Sequence, residues 1–113
     1  MSTTILVIDD MRDVRLSANF LLSSHSYQVL EASSPLEALD VVKQQAVDLI
    51  LLDMNYQADT TSGQEGLDFL SKLHKENLTI PVVAMTGWSS VDVAVKAMQQ
   101  GANDFIEKPW DNQ

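Results

Sequence analysis

The sequence predicts an α/β domain built on a doubly wound parallel sheet of five strands, with helices on both faces. Three observations carry that expectation. Short aliphatic runs such as Leu49-Ile50-Leu51-Leu52 are unbroken rather than alternating, as strands covered on both faces require. Amphipathic stretches separate these runs, and the strand–helix alternation repeats five times. Two of the runs stop on acids, at Asp9 and Asp53, placing carboxylates at the rim where open sheets of this class bind ligands.

Residues 3–9 form the first strand signature and lead into the pair Asp9-Asp10. Residues 12–24 carry Val14, Ala18, Leu21 and Leu22 at spacings of three and four, a helix with one apolar stripe. Residues 27–31 read as a short second strand. Ser34-Pro35-Leu36-Glu37 opens the next helix, with Ser as N-cap, Pro at the first helical position and Glu three residues after the cap. That helix is expected to run to about residue 45 and to bury Leu36, Leu39 and Val42. The third strand ends on Asp53 and is followed by a polar loop over residues 54–63. Ser62-Gly63-Gln64-Glu65 resembles a capping box, opening a helix that buries Leu67, Leu70 and Leu73.

Residues 80–85 form the fourth strand, with Pro81 tolerable near its start, and end on Thr86-Gly87. Val91, Val93 and Val95 alternate, which alone would suit a strand. Ala94, Ala97, Met98 and a terminal Gly101 suited to C′ argue instead for a helix capped by Ser89 or Ser90 and ending near Gln100. Its three β-branched residues lower its helix propensity, so it is expected to be held by tertiary contacts and to be movable. Residues 103–107 form the fifth strand and end on Lys108-Pro109.

The chain of 113 residues is one domain, long enough to bury a core. With 16 acids against 7 bases its net charge is −9, which argues against direct nucleic-acid binding by this segment. It has no cysteine, so disulfides and thiolate metal sites are excluded. No apolar run approaches a membrane span of roughly 20 residues, and Met1-Ser2-Thr3 does not open a signal segment. A cytoplasmic location is expected.

The residues that follow the strands form a coherent set. Asp9, Asp10 and Asp53 would repel one another, and a hard divalent cation relieves that repulsion. A sparse carboxylate set that leaves room for water suits Mg²⁺. Thr86 brings a hydroxyl and Lys108 a point positive charge, both fitted to a phosphoryl oxygen. Asp53 can then act as the nucleophile of a phosphoryl transfer. Taken singly, each residue has a plainer reading as a helix cap, a turn or a strand end; the convergence of five on one edge carries the signal.

With Asp9-Asp10, Leu51-Leu52-Asp53, Met85-Thr86-Gly87 and the segment from Asp104 to Lys108-Pro109 in place, the chain resembles the receiver domain of a two-component response regulator. The resemblance covers nearly all of it and implies the flavodoxin-like strand order 2-1-3-4-5. It implies Asp53 as phosphoacceptor, taking its phosphoryl group from a histidine kinase or a small donor such as acetyl phosphate. It also implies Mg²⁺ held by Asp9, Asp10, Asp53 and the backbone carbonyl of Asn55. Thr86 and Lys108 would bind the phosphoryl group, Phe105 would swing inward as Thr86 moves, and Lys108-Pro109 would be cis. Phe105 also fits a plain edge-strand residue, and it lacks a hydroxyl.

Three features depart from the pattern. Gln57 stands where the family often has proline, and the loop after Asp53 is long; it either covers the site or is a tolerated insertion. Trp88 sits where the family tunes dephosphorylation, and it either screens the acyl phosphate from water or forms a partner surface. The chain ends at Gln113, where the family's fifth helix would begin, so that helix is expected to be missing, and the apolar sheet surface left is expected to promote association, as in a homodimer, or to leave the segment marginally stable. The long loop and the ending Lys-Pro-Trp-Asp-Asn resemble receivers fused to AAA+ transcription activators, which implies a C-terminal output domain.

Other readings fit less well. A flavin- or nucleotide-binding domain wants a Gly-rich phosphate loop where Asp9-Asp10 stand. A haloacid dehalogenase-type phosphatase wants an acid two residues after its nucleophile, where Met11 stands. A pseudo-receiver that is never phosphorylated and serves only as an interaction module is the alternative that shares every structural feature.

Overall fold

The computed structural model describes residues 3–54, 64–76, 78–86 and 91–107, with 64, 65, 86, 91–94 and 107 described by backbone alone. Nine elements alternate along the chain: β1 (Thr4–Ile8), α1 (Arg12–Ser23), β2 (Gln28–Ala32), α2 (Pro35–Gln44), β3 (Leu49–Asp53), α3 (Gln64–Lys75), β4 (Val82–Thr86), α4 (Val91–Gln99) and β5 (Asp104–Glu107). The strands form one parallel sheet in the order β2-β1-β3-β4-β5. The fold class and strand order are those expected. Residues 108–113, on which the expectation about a fifth helix falls, lie outside the described residues, where four helices are seen.

Both faces of the sheet are apolar, which is why the strands read as unbroken runs. On one face Leu6, Ile8, Ile50, Leu52, Val82 and Ala84 pack with Ala38, Leu39 and Val42 of α2, with Leu67, Phe69, Leu70 and Leu73 of α3, and with Ala97 of α4. On the other face Ile5, Val7 and Met85 meet Ala18 of α1. There Leu49, Leu51 and Val83 are only half-buried, and Ile106 is exposed.

The helix ends follow local chemistry. Ser34 caps α2 by accepting a hydrogen bond from Glu37 N–H at 3.2 Å, with Pro35 at the first helical position. The Glu37 carboxylate reaches back to Ser33 N–H at 3.0 Å, one residue before the cap rather than the cap itself. The ambiguous valine segment is helical. Gly101, at φ +114°, closes α4: its N–H bonds Met98 O at 3.2 Å and Ala102 N–H bonds Ala97 O at 2.9 Å. The same pattern closes α1 without glycine, through Ser26 at φ 70° and a bond from Tyr27 N–H to Leu22 O.

Two expectations are corrected. Leu36 is 72% exposed, because α2 buries Ala38, Leu39 and Val42, and its first turn overhangs toward α3. Met54, expected in a polar loop, is fully buried, because its N–H bonds Met85 O at 2.9 Å and extends the β3–β4 ladder one residue past Asp53. The caps expected at Ser62 and at Ser89 or Ser90 lie outside the described residues.

Candidate phosphoacceptor and metal site

Asp9 and Asp53 are brought together by register. Ile8 pairs with Leu52 across β1 and β3, so the next residue of each strand leaves the sheet edge in the same direction. Both carboxylates are fully buried, while Asp10 is half-buried at the mouth. One oxygen from each of the three acids lies within 4.8 Å of the other two. Asp9 is fixed at both ends. Its N–H donates to Ala32 O at 3.1 Å, and its Oδ1 accepts from Met11 N–H at 2.9 Å. Asp53 is held by the β4 ladder through its register with Met85.

Sequence reasoning missed Arg15. Its guanidinium donates through Nη1 to the Asp9 carbonyl at 2.7 Å and through Nε to Glu31 Oε1 at 3.2 Å. Asn19 Nδ2 donates to the other Glu31 oxygen at 3.0 Å and accepts, through Oδ1, from Ser23 Oγ at 2.8 Å. This chain of polar contacts ties α1 and β2 to the backbone of the acid pair. The available signal was a cation one and a half helical turns after Asp9-Asp10, with an acid at the end of the neighbouring strand.

Among the other expected site residues, Thr86 ends β4 and is described by backbone alone, in register with Glu107. Asn55, Trp88 and Lys108 lie outside the described residues. Phe105 pairs with Ala84, so it points to the α4 side of the sheet, and it is 43% exposed. Val95 and Met98 of α4 are exposed on the same side of the molecule.

The donor set is three hard carboxylates, two fully buried and the third, Asp10, half-buried. Ligands of an octahedral Mg²⁺ ion, each roughly 2.1 Å from the metal, lie about 3–4 Å apart, a spacing this cluster reaches with little movement. The three acids can therefore hold a divalent metal ion and leave positions for water. Among the described residues no helix is long and apolar enough to cross a membrane.

Comparison with known proteins agrees with this geometry. The response regulator receiver domain family matches residues 5–113. Sporulation initiation phosphotransferase F of Bacillus subtilis is 31% identical over 111 residues, covering 98% of this chain and 86% of that protein. The transcriptional regulatory protein ZraR of Klebsiella oxytoca is 36% identical over 107 residues, but the chain spans only 23% of its length. The crystal structure of the receiver domain of NtrX from Brucella abortus superposes with a TM-score of 0.85 at 33% identity, covering 96% of this chain and 88% of that one.

Proposed function

The chain belongs to the response regulator receiver domain family, and from that premise we propose that Asp53 is its phosphoacceptor. The domain is a regulatory phosphoacceptor of two-component signalling rather than an enzyme acting on a separate substrate. The observation that carries the assignment of Asp53 is its burial at the end of β3 with Asp9 and Asp10 against it. A phosphorylated histidine of a sensor kinase supplies the phosphoryl group. An Asp53 oxygen attacks phosphorus, the P–N bond breaks, and the imidazole departs with the bonding pair and takes up a proton.

Mg²⁺, when bound to Asp9, Asp10, Asp53 and the Asn55 carbonyl, supplies positive charge opposite the transferring oxygens. The chain's own residues do the rest. Met11 N–H and Arg15 hold the Asp9 backbone and carboxylate in place. The Lys108 ammonium pairs with the phosphoryl oxygens and the Thr86 hydroxyl donates to one of them. Movement of Thr86 frees space for Phe105, now 43% exposed, and changes the α4–β5 side where Val95 and Met98 stand exposed. An output domain of the AAA+ activator kind, C-terminal in the full protein and suggested by the resemblance above, reads that change. A homodimer is the second possible reader of the same face. The domain works in the cytoplasm.

Incubation with Mg²⁺ and acetyl phosphate tests the assignment. A single phosphoryl mass addition that Asp53→Asn abolishes supports it. No addition to the wild-type chain, or one that survives the substitution, overturns it in favour of a pseudo-receiver.

A further inference from the structure

We propose that Gly66 is a positioning residue for the acid cluster and acts through Met54. The inference rests on the assignment of Asp53 as phosphoacceptor. Met54 follows Asp53 directly, and its side chain is fully buried in the cluster beneath α2, α3 and α4. It passes under the first turn of α3 at Gly66, itself buried. A Cβ on Gly66 would lie 2.5 Å from Met54 Sδ, 2.9 Å from Met54 Cε and 3.4 Å from the Asp53 carbonyl oxygen.

The first two distances are shorter than real Cβ contacts, so something has to move. The end of a methionine side chain is easily displaced where there is room. Met54 has no exposed surface to swing into, and the cluster around it includes Leu52, Leu67 and Phe69. Relief therefore comes from lifting the first turn of α3 or from rotating the Asp53–Met54 peptide. The second movement acts directly on Asp53, whose carboxylate must stay within reach of Asp9 and Asp10. Glycine is a poor helix former, yet it stands in the third position of α3. The bare Cα lets the helix seat closely on Met54 and leaves the aim of Asp53 undisturbed.

A purely structural role would lower stability without selectively moving metal affinity. The test compares Gly66→Ala, Met54→Ala, the double variant and Gly101→Ala, by calorimetric titration with MgCl₂, acetyl phosphate labelling and thermal unfolding. Gly101 sits at φ +114° with nothing within 4 Å of where a Cβ would stand, so its substitution strains the backbone without a clash, at the end of α4, and serves as the stability control. Gly66→Ala is expected to weaken Mg²⁺ binding about tenfold and to slow labelling in proportion, the size usual for groups that orient metal ligands. The double variant is expected to bind Mg²⁺ within about threefold of Met54→Ala alone, and Gly101→Ala to bind as the wild type does.

Gly66→Ala binding Mg²⁺ within about twofold of wild type would overturn the proposal, as would a double variant no better than Gly66→Ala. If Gly66→Ala does not fold, a folded double variant that binds Mg²⁺ supports the proposal and an unfolded one overturns it. Should the wild type bind Mg²⁺ but take no phosphoryl group, the assignment of Asp53 fails while the titrations still decide the role of Gly66.

Discussion

Neutralising Asp53 should stabilise the metal-free protein. The substitution Asp53→Asn keeps shape and volume, removes one of three carboxylates whose oxygens lie within 4.8 Å of one another, and puts an amide donor among acceptors. Two unit charges 4.8 Å apart repel by about 3.5 kcal/mol at an effective dielectric of about 20. Asp53 has two such neighbours, each at that separation or nearer. Asp10 is only half-buried and solvent screens its share, so the recovered part is smaller, about 1–2 kcal/mol. For a chain of 113 residues, 1 kcal/mol corresponds to about 4 °C in Tm, giving a rise of about 4–8 °C without metal. Mg²⁺ at about 100 times its Kd should stabilise the wild type by about 2.7 kcal/mol and the variant by less, closing the gap. Scanning calorimetry with EDTA and then with Mg²⁺ reads both effects. A variant that melts below wild type in EDTA, or an equal Mg²⁺ shift in both proteins, would refute the reasoning.

Arg15→Met should lower stability by about 1.5–3 kcal/mol, since it removes charged hydrogen bonds to the Asp9 carbonyl and to Glu31. Urea unfolding with an unchanged midpoint would show that the clamp is idle. Phe69→Ala, at a side chain 1% exposed, should cost about 3–5 kcal/mol, while Phe20→Ala, at one 81% exposed, should stay within about 0.5 kcal/mol. The reverse ranking would contradict the packing described. Amide hydrogen exchange should be faster in α4, with Val91, Val93 and Val95 on a short helix, than in β1 and β3. Protection equal to that of the central strands would remove the case for a movable α4.

The strands were legible because both of their faces are covered, so burial leaves no polar residue to break the pattern; β1 and β3 carry that signature most clearly. Gly101 was legible because one backbone conformation demands it. Periodicity failed where two faces of a helix competed. In α2, residues 36, 39 and 42 and residues 38, 39 and 42 both make apolar stripes, and the larger Leu36 drew the expectation away from Ala38. The sheet decided for Ala38, which is fully buried, and a small side chain there lets α2 lie close to β1. Hydrophobicity ranks side chains by size, whereas close packing of helix on sheet selects small ones.

The site divides along a similar line. Proximity of Asp9 and Asp53 follows from topology: once β1 and β3 are parallel neighbours in register, acids at their ends must meet. Aim does not follow from topology. It depends on Arg15 holding the Asp9 carbonyl, on the Met54 N–H bond to Met85, and on the missing side chain at Gly66. None of these three carries chemistry that a motif would reveal, because each acts on the backbone of an acid rather than on a ligand. A metal site tolerates a misplaced donor poorly, so substitutions at these positions should weaken metal binding even though every carboxylate survives. The acids alone therefore do not specify a working site, and a receiver-like sequence that keeps all three but places a bulky residue at the position of Gly66 should bind Mg²⁺ poorly.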